Sequence, residues 1–136
     1  MAKTGEVLLG EFSDFIGDKI GDATSSAGAS DGSILVSDTL RRFAEDTIEG
    51  WFLRITHSGH GAQHRIRRIT SFSDSGGSAT VAPNFGTQIG SGVNFELHRY
   101  DPVRKFAALD RARFKIIEDV FSIVRNDIVN VSPRKL

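Results

Sequence analysis

The stretch G-W-F-L-R-I-T-H-S-G-H-G-A-Q-H-R-I-R-R-I-T-S-F, Gly50–Phe72, decides how the rest of the chain is read. Two runs rich in β-branched and aromatic residues flank a centre of Ser58, Gly59, His60 and Gly61. Glycine adopts positive φ without steric cost, so this centre is able to reverse the chain. Trp51–Thr56 and Gln63–Phe72 are therefore predicted to be the arms of a β-hairpin with a longer, glycine-bearing loop. Along the first arm, Trp51, Leu53 and Ile55 point one way and Phe52, Arg54 and Thr56 the other. The second arm carries Ile66, Ile69 and Phe72 among Arg65, Arg67 and Arg68. Their spacing departs from period two, which predicts a bulge near Arg67–Arg68.

Working outward, Ile34–Ser37 is an apolar run that predicts a first strand, followed by an irregular segment to Glu49 with room for one helical turn. After the hairpin, Ser73–Ser78 is a turn, Ala79–Ala82 a short strand and Pro83–Gly92 a loop. Val93–Arg99 alternates Val93, Phe95 and Leu97 with Asn94, Glu96 and His98, the pattern of a half-buried strand. Upstream, Leu8, Phe12, Phe15, Ile16 and Ile20 fall on one face of a helix over Glu6–Ile20. The small and polar residues Gly21–Ser33 then predict a flexible connector. Downstream, Asp101 is an N-cap type and Pro102 suits the first helical position. The stripe Val103, Phe106, Ala107, Phe114, Ile117, Phe121 and Val124 predicts a helix to about Arg125. A second set, Leu109, Ile116, Val120 and Ile123, widens that stripe, so the helix needs more than one partner.

The fold expected is α+β, a single domain. Residues 1–32 form an N-terminal helix and flexible arm. Residues 33–100 form a small antiparallel β-barrel or sandwich of about five short strands. A long C-terminal helix spans 101–126, with a tail over 127–136.

With 136 residues the chain is large enough for one real core, and its 39% apolar and 25% charged content is that of an ordinary globular protein. Seventeen basic residues balance seventeen acidic ones, which argues against a general nucleic-acid or membrane-surface binder. The absence of cysteine excludes disulfides, thiolate catalysis and zinc–thiolate sites. No run approaches the ~18 apolar residues of a membrane span. Glu6 and Glu11 interrupt any signal-peptide core at the N-terminus.

His57, His60 and His64 have a spacing that suits a metal site on a helix, yet the glycines between them argue for a turn, and the nearest carboxylates in sequence are Glu49 and Asp74. They read as an exposed polar loop. Arg54, Arg65, Arg67 and Arg68 beside Trp51 and Phe52 raise single-stranded nucleic acid or anionic glycan as ligands. Glu45, Asp46, Glu49 and Asp74 close by favour a salt-bridged sheet face or a subunit interface instead. No carboxylate pair or nucleophile elbow stands out, and Gly90–Gly92 is too short for a phosphate loop, so neither an enzyme nor a cofactor is expected. Phe106, Phe114, Ile117, Phe121 and Val124, with Phe12 and Phe15, are the candidate assembly interface. The candidate exposed loop contact is His57, His60, His64, Arg65 and Arg67.

The order of these features resembles a class of small virion proteins of tailed bacteriophages. The residues that carry the likeness are I-L-V-S-D-T-L, E-G-W-F-L-R-I-T, G-A-Q-H-R-I-R-R-I-T, T-V-A-P-N-F, G-T-Q-I-G-S-G-V-N-F-E-L and Y-D-P with A-L-D-R-A, over roughly Ser33–Ala112. L-D-R-A at Leu109–Ala112 departs from the more apolar usual form. The resemblance implies a compact β-barrel followed by a helix. It also implies a structural role, as a head–tail connector ring, a tail component or a capsid decoration protein, with a homo-oligomer and other virion proteins as partners. Nucleic-acid contact would be incidental. From another class, a small β-barrel module that binds glycan or peptide through Trp51 and the His57–His64 loop fits the same residues.

Overall fold

The computed structural model describes residues 4–130, with side chains up to Asp119. Its backbone divides into two compact units, Met1–Pro102 and Val103–Leu136.

In the first unit, helix α1 runs Gly5–Ile16, capped by Thr4, whose side chain accepts from the Val7 amide at 3.4 Å. It ends where Gly17 takes φ 69°, a left-handed C-cap that glycine adopts at least cost. The helix predicted to Ile20 therefore stops a turn earlier. Ile20 instead belongs to β1, Lys19–Ala23, a strand lying in the segment expected to be a flexible arm. Beyond β1 the arm is tied down as well: Thr24 Oγ1 donates to Gly90 O at 2.6 Å and Gly28 N to Ile89 O at 2.9 Å.

The remaining strands are β2 Ile34–Val36, β3 Phe52–Ile55, β4 Ile66–Ser73, β5 Ser78–Ala82 and β6 Asn94–His98, with a 3₁₀ turn at Asp38–Arg42. All six form one antiparallel sheet in the order β1-β6-β3-β4-β5-β2. The α+β class is as the sequence predicted, but the strands number six and the sheet is not closed into a barrel. Its two edge strands are linked past their ends by the bridge Ser26↔Val36, by Ser25 N donating to Val36 O at 3.1 Å and by Ser37 Oγ donating to Ala23 O at 3.0 Å. The β3–β4 hairpin forms with Phe52 opposite Arg68 and Arg54 opposite Ile66. The irregularity lies between Ile69 and Ser71 on the ladder to β5, not at Arg67–Arg68. At that position the bulge turns Phe72 onto the core side beside Ile69, which period two alone does not allow.

The sheet's inner side holds Leu53, Ile55, Ile69, Phe72, Ala79, Val81, Phe95 and Leu97, and Leu40, Ile48, Phe85 and Ile89 from the connections fill the rest. Burying side chains of this size contributes ~1.5–3 kcal/mol each, which makes this cluster the main stabilising feature of the unit.

The second unit is helix α2, Pro102–Asn130. It extends past the predicted end near 126, so 127–130 are helical. The rest of the expected tail, 131–136, lies outside the described residues.

Candidate functional site

Alternation along β3 and β6 places Arg54 and Glu96 directly opposite each other on the outer face of the sheet. Helix α1 covers this face and keeps Arg54 only 4% exposed. Burying a guanidinium requires partners, and Arg54 has two carboxylates: NH1 donates to Glu96 Oε2 at 3.3 Å and NH2 to Glu6 Oε1 at 2.9 Å. His64 joins from the end of the hairpin loop, with Nδ1 2.8 Å from Glu6 Oε1. That contact is a hydrogen bond when Nδ1 carries the proton and Glu6 accepts it. His98 Nε2 donates to Glu96 Oε2 at 3.2 Å, and Lys19 pairs with Asp14 of α1 at 3.0 Å. Burial pushes the Glu96 carboxyl up. The hydrogen bond from His98 and the charges of His98, Arg54 and Lys19 outweigh burial and hold it below the ordinary value. The network therefore fixes α1 on the sheet by charge-assisted bonds, with Leu9 buried beneath the helix outside the main core.

The histidine loop is largely bonded within itself and to its neighbours. His57 Nδ1 accepts from Asn94 N at 3.3 Å. His60 Nδ1 accepts from Ala62 N at 3.0 Å, so its Nε2 carries the proton and donates to Gln88 O at 3.1 Å. Arg65 NH1 donates to Phe85 O at 2.7 Å and Arg67 Nε to Asn84 O at 3.1 Å, holding the loop that begins at the cis Ala82–Pro83 bond. His64 is the loop residue brought to the α1 network, and it has φ 65°, in the left-handed region that few non-glycine residues adopt and that histidine enters more readily than most. Among the described residues, no three His, Asp or Glu side chains are gathered to hold a metal ion. A shallow depression lined by Glu49, Gly50, Arg68, Ile69 and Thr70 presents one acidic and one basic side chain.

The helices present apolar side chains to solvent. On α1, Phe15 is 89% exposed and Val7, Leu8 and Ile16 are also exposed, while Phe12 is half-buried. On α2, Phe114 is 59% and Ile116 63% exposed, Val103 and Ile117 are exposed, and Phe106 is half-buried. The side chains of Phe121 and Val124 lie outside the described residues. No described helix is long and apolar enough to cross a membrane.

Sequence reasoning identified His64 but missed Glu6, Lys19, Arg54, Glu96 and His98 as a connected group. The alternation of β6 placed Glu96 and His98 together on one face, and this was the available signal. Comparison with protein-family models, with characterised proteins and with solved structures finds no match to this chain. Each unit is thus defined by its own geometry: the first is a small antiparallel sheet with a charge-clamped helix, and the second is a long helix with exposed phenylalanine and isoleucine.

Proposed function

We propose that this protein is a self-assembling structural component of a tailed-bacteriophage particle, a ring subunit of the head–tail connector, with no catalytic role. The observation that carries the reading is the exposure of large apolar side chains on both helices while the sheet has a filled core of its own. Water-exposed Phe15, Phe114 and Ile116 contribute nothing to a monomer's stability, and they are the residue types that association buries. The likeness of Ser33–Ala112 to small virion proteins supplies the particle, and the long helix suits side-by-side packing about an axis.

The test is native mass by light scattering on purified protein, joined to copy counting in particles. A closed oligomer present in a small fixed number per particle supports the connector reading. Many copies spread over the shell make it a decoration protein. A stable monomer absent from particles overturns the virion reading and leaves the glycan- or peptide-binding module.

A further inference from the structure

In the sequence, the arginines of the hairpin lie near Glu45, Asp46 and Asp74, close enough for the two signs to neutralise each other. The structure separates them. Among the described residues, neither Arg65 nor Arg67 enters an ion pair. Both side chains reach instead to consecutive carbonyls just beyond β5: Arg65 NH1 donates to Phe85 O at 2.7 Å and Arg67 Nε to Asn84 O at 3.1 Å. Arg67 NH1 also donates to Ile66 O at 2.9 Å. A guanidinium has about five N–H donors, so most of those on this pair still face outward from positions that the carbonyls fix. Asp31, on the same stretch, is held by Ser33 N at 2.9 Å and by Asn84 Nδ2 at 3.3 Å.

At the far end of β4, Asp74 follows directly on Ser73, the last residue of the strand, and Glu45 lies against it. The hydrogen bond with Asp74 and the negative charges of Asp74 and Asp46 push the Glu45 carboxyl above its ordinary value. The arginines on the connection that carries Glu45 are engaged elsewhere. Arg41 pairs with Asp38 at 3.3 Å, and Arg42 lies over the Phe43 ring, 5.2 Å from its centre. At about 3.3 Å per residue, β4 keeps the arginine pair and the carboxylate pair about 25 Å apart. Salt screens charges in water beyond about 8–10 Å, so the two ends do not neutralise each other within one molecule.

We propose that they do so between copies: Arg65 and Arg67 of one copy receive Glu45 and Asp74 of the next. An incoming guanidinium relieves the repulsion between the two carboxylates, and arginine–carboxylate bonds give the contact a fixed register. The contact joins two different surfaces, so copies run head to tail and form a ring where the rotation between them closes. The inference rests on the assembly reading above and gives that assembly its direction.

The test uses full-length protein. Glu45→Lys with Asp74→Lys makes both ends basic, and Arg65→Glu with Arg67→Glu makes both acidic. Light scattering at low salt measures the native mass of each variant and of their equimolar mixture, and thermal unfolding confirms that each is folded. Each variant alone should be monomeric at a concentration where the wild type assembles. The mixture should regain the wild-type mass, because unlike ends then meet. If the acidic variant loses its fold with the carbonyl bonds, Arg65→Gln with Arg67→Gln keeps a donor at each position and should still be monomeric. A lysine variant that assembles like the wild type overturns the contact and leaves the helix-borne assembly standing. A mixture of folded variants that stays monomeric overturns the pairing. A wild type that is monomeric throughout overturns both readings. Charge-dependent assembly by a protein that never enters particles supports the contact and refutes the virion role.

Discussion

Arg54 and Glu96 face each other across the β3–β6 ladder, NH1 3.3 Å from Oε2, on the side of the sheet covered by helix α1 rather than the side that holds the core. The pair has Glu6 and His64 on one flank and His98 on the other, so both charged groups are multiply hydrogen-bonded out of water. Such a pair adds little over an apolar substitute, but losing one partner strands the other.

Arg54→Ala is accordingly expected to destabilise the fold by about 3 kcal/mol, because Glu96 keeps its burial and loses a cation. Glu6→Ala should cost under about 1 kcal/mol, since Glu6 is half in water. Urea unfolding of both variants measures the difference. Equal effects would mean that the clamp is centred on α1 and not on the β3–β6 pair.

The depressed Glu96 carboxyl gives the fold a defined acid response. In the unfolded chain this group protonates near 4.5, and in the native state it does so only at lower pH. Its contribution is complete above 4.5 and is lost as pH falls through the native value. The urea midpoint of the wild type should therefore drop more steeply below pH 4.5 than that of Glu96→Gln. Parallel curves would show that the network does not stabilise the charged carboxylate.

Two glycines with positive φ separate backbone strain from steric collision. A Cβ on Gly17 meets nothing within 4 Å, whereas one on Gly77 would lie 2.4 Å from Ser37 O. Gly17→Ala should cost about 1–2 kcal/mol, the left-handed penalty alone. Gly77→Ala should cost clearly more, because the β4–β5 turn must also withdraw from the backbone entering the 3₁₀ segment. Thermal unfolding orders the two, and a smaller loss for Gly77→Ala would contradict the packing of that turn.

What could be read from the sequence was local. The β3–β4 hairpin was legible because each arm is a continuous run with its own turn between. Helix α2 was legible because Asp101, Pro102 and the apolar stripe from Val103 onward lie close together in sequence. Strand β1 was not. Ile20 falls four residues after Ile16 and so mimics another helical turn, and its strand identity depends on pairing with β6, far along the chain. The same applies to Arg54 and Glu96, which are 42 residues apart and meet only through sheet order. Phe85 and Ile89 lie in a segment whose Pro, Asn and Gly content marks a loop, yet they complete the core. Composition reports backbone irregularity and does not report burial.

Leu9 and Phe15 sit on the same short helix with opposite exposures, 0% against 89%, and so distinguish holding α1 in place from using it. Leu9→Ala leaves a cavity under the helix and should cost about 2–5 kcal/mol, with amide exchange in α1 accelerated. Phe15→Ser removes a side chain that touches mostly water and should change monomer stability by less than about 0.5 kcal/mol. Under the assembly reading, Phe15→Ser instead shifts the native mass toward smaller species at a given concentration. A Phe15→Ser protein with unchanged stability and unchanged native mass would remove α1 from the assembly surface and leave that role to α2 alone.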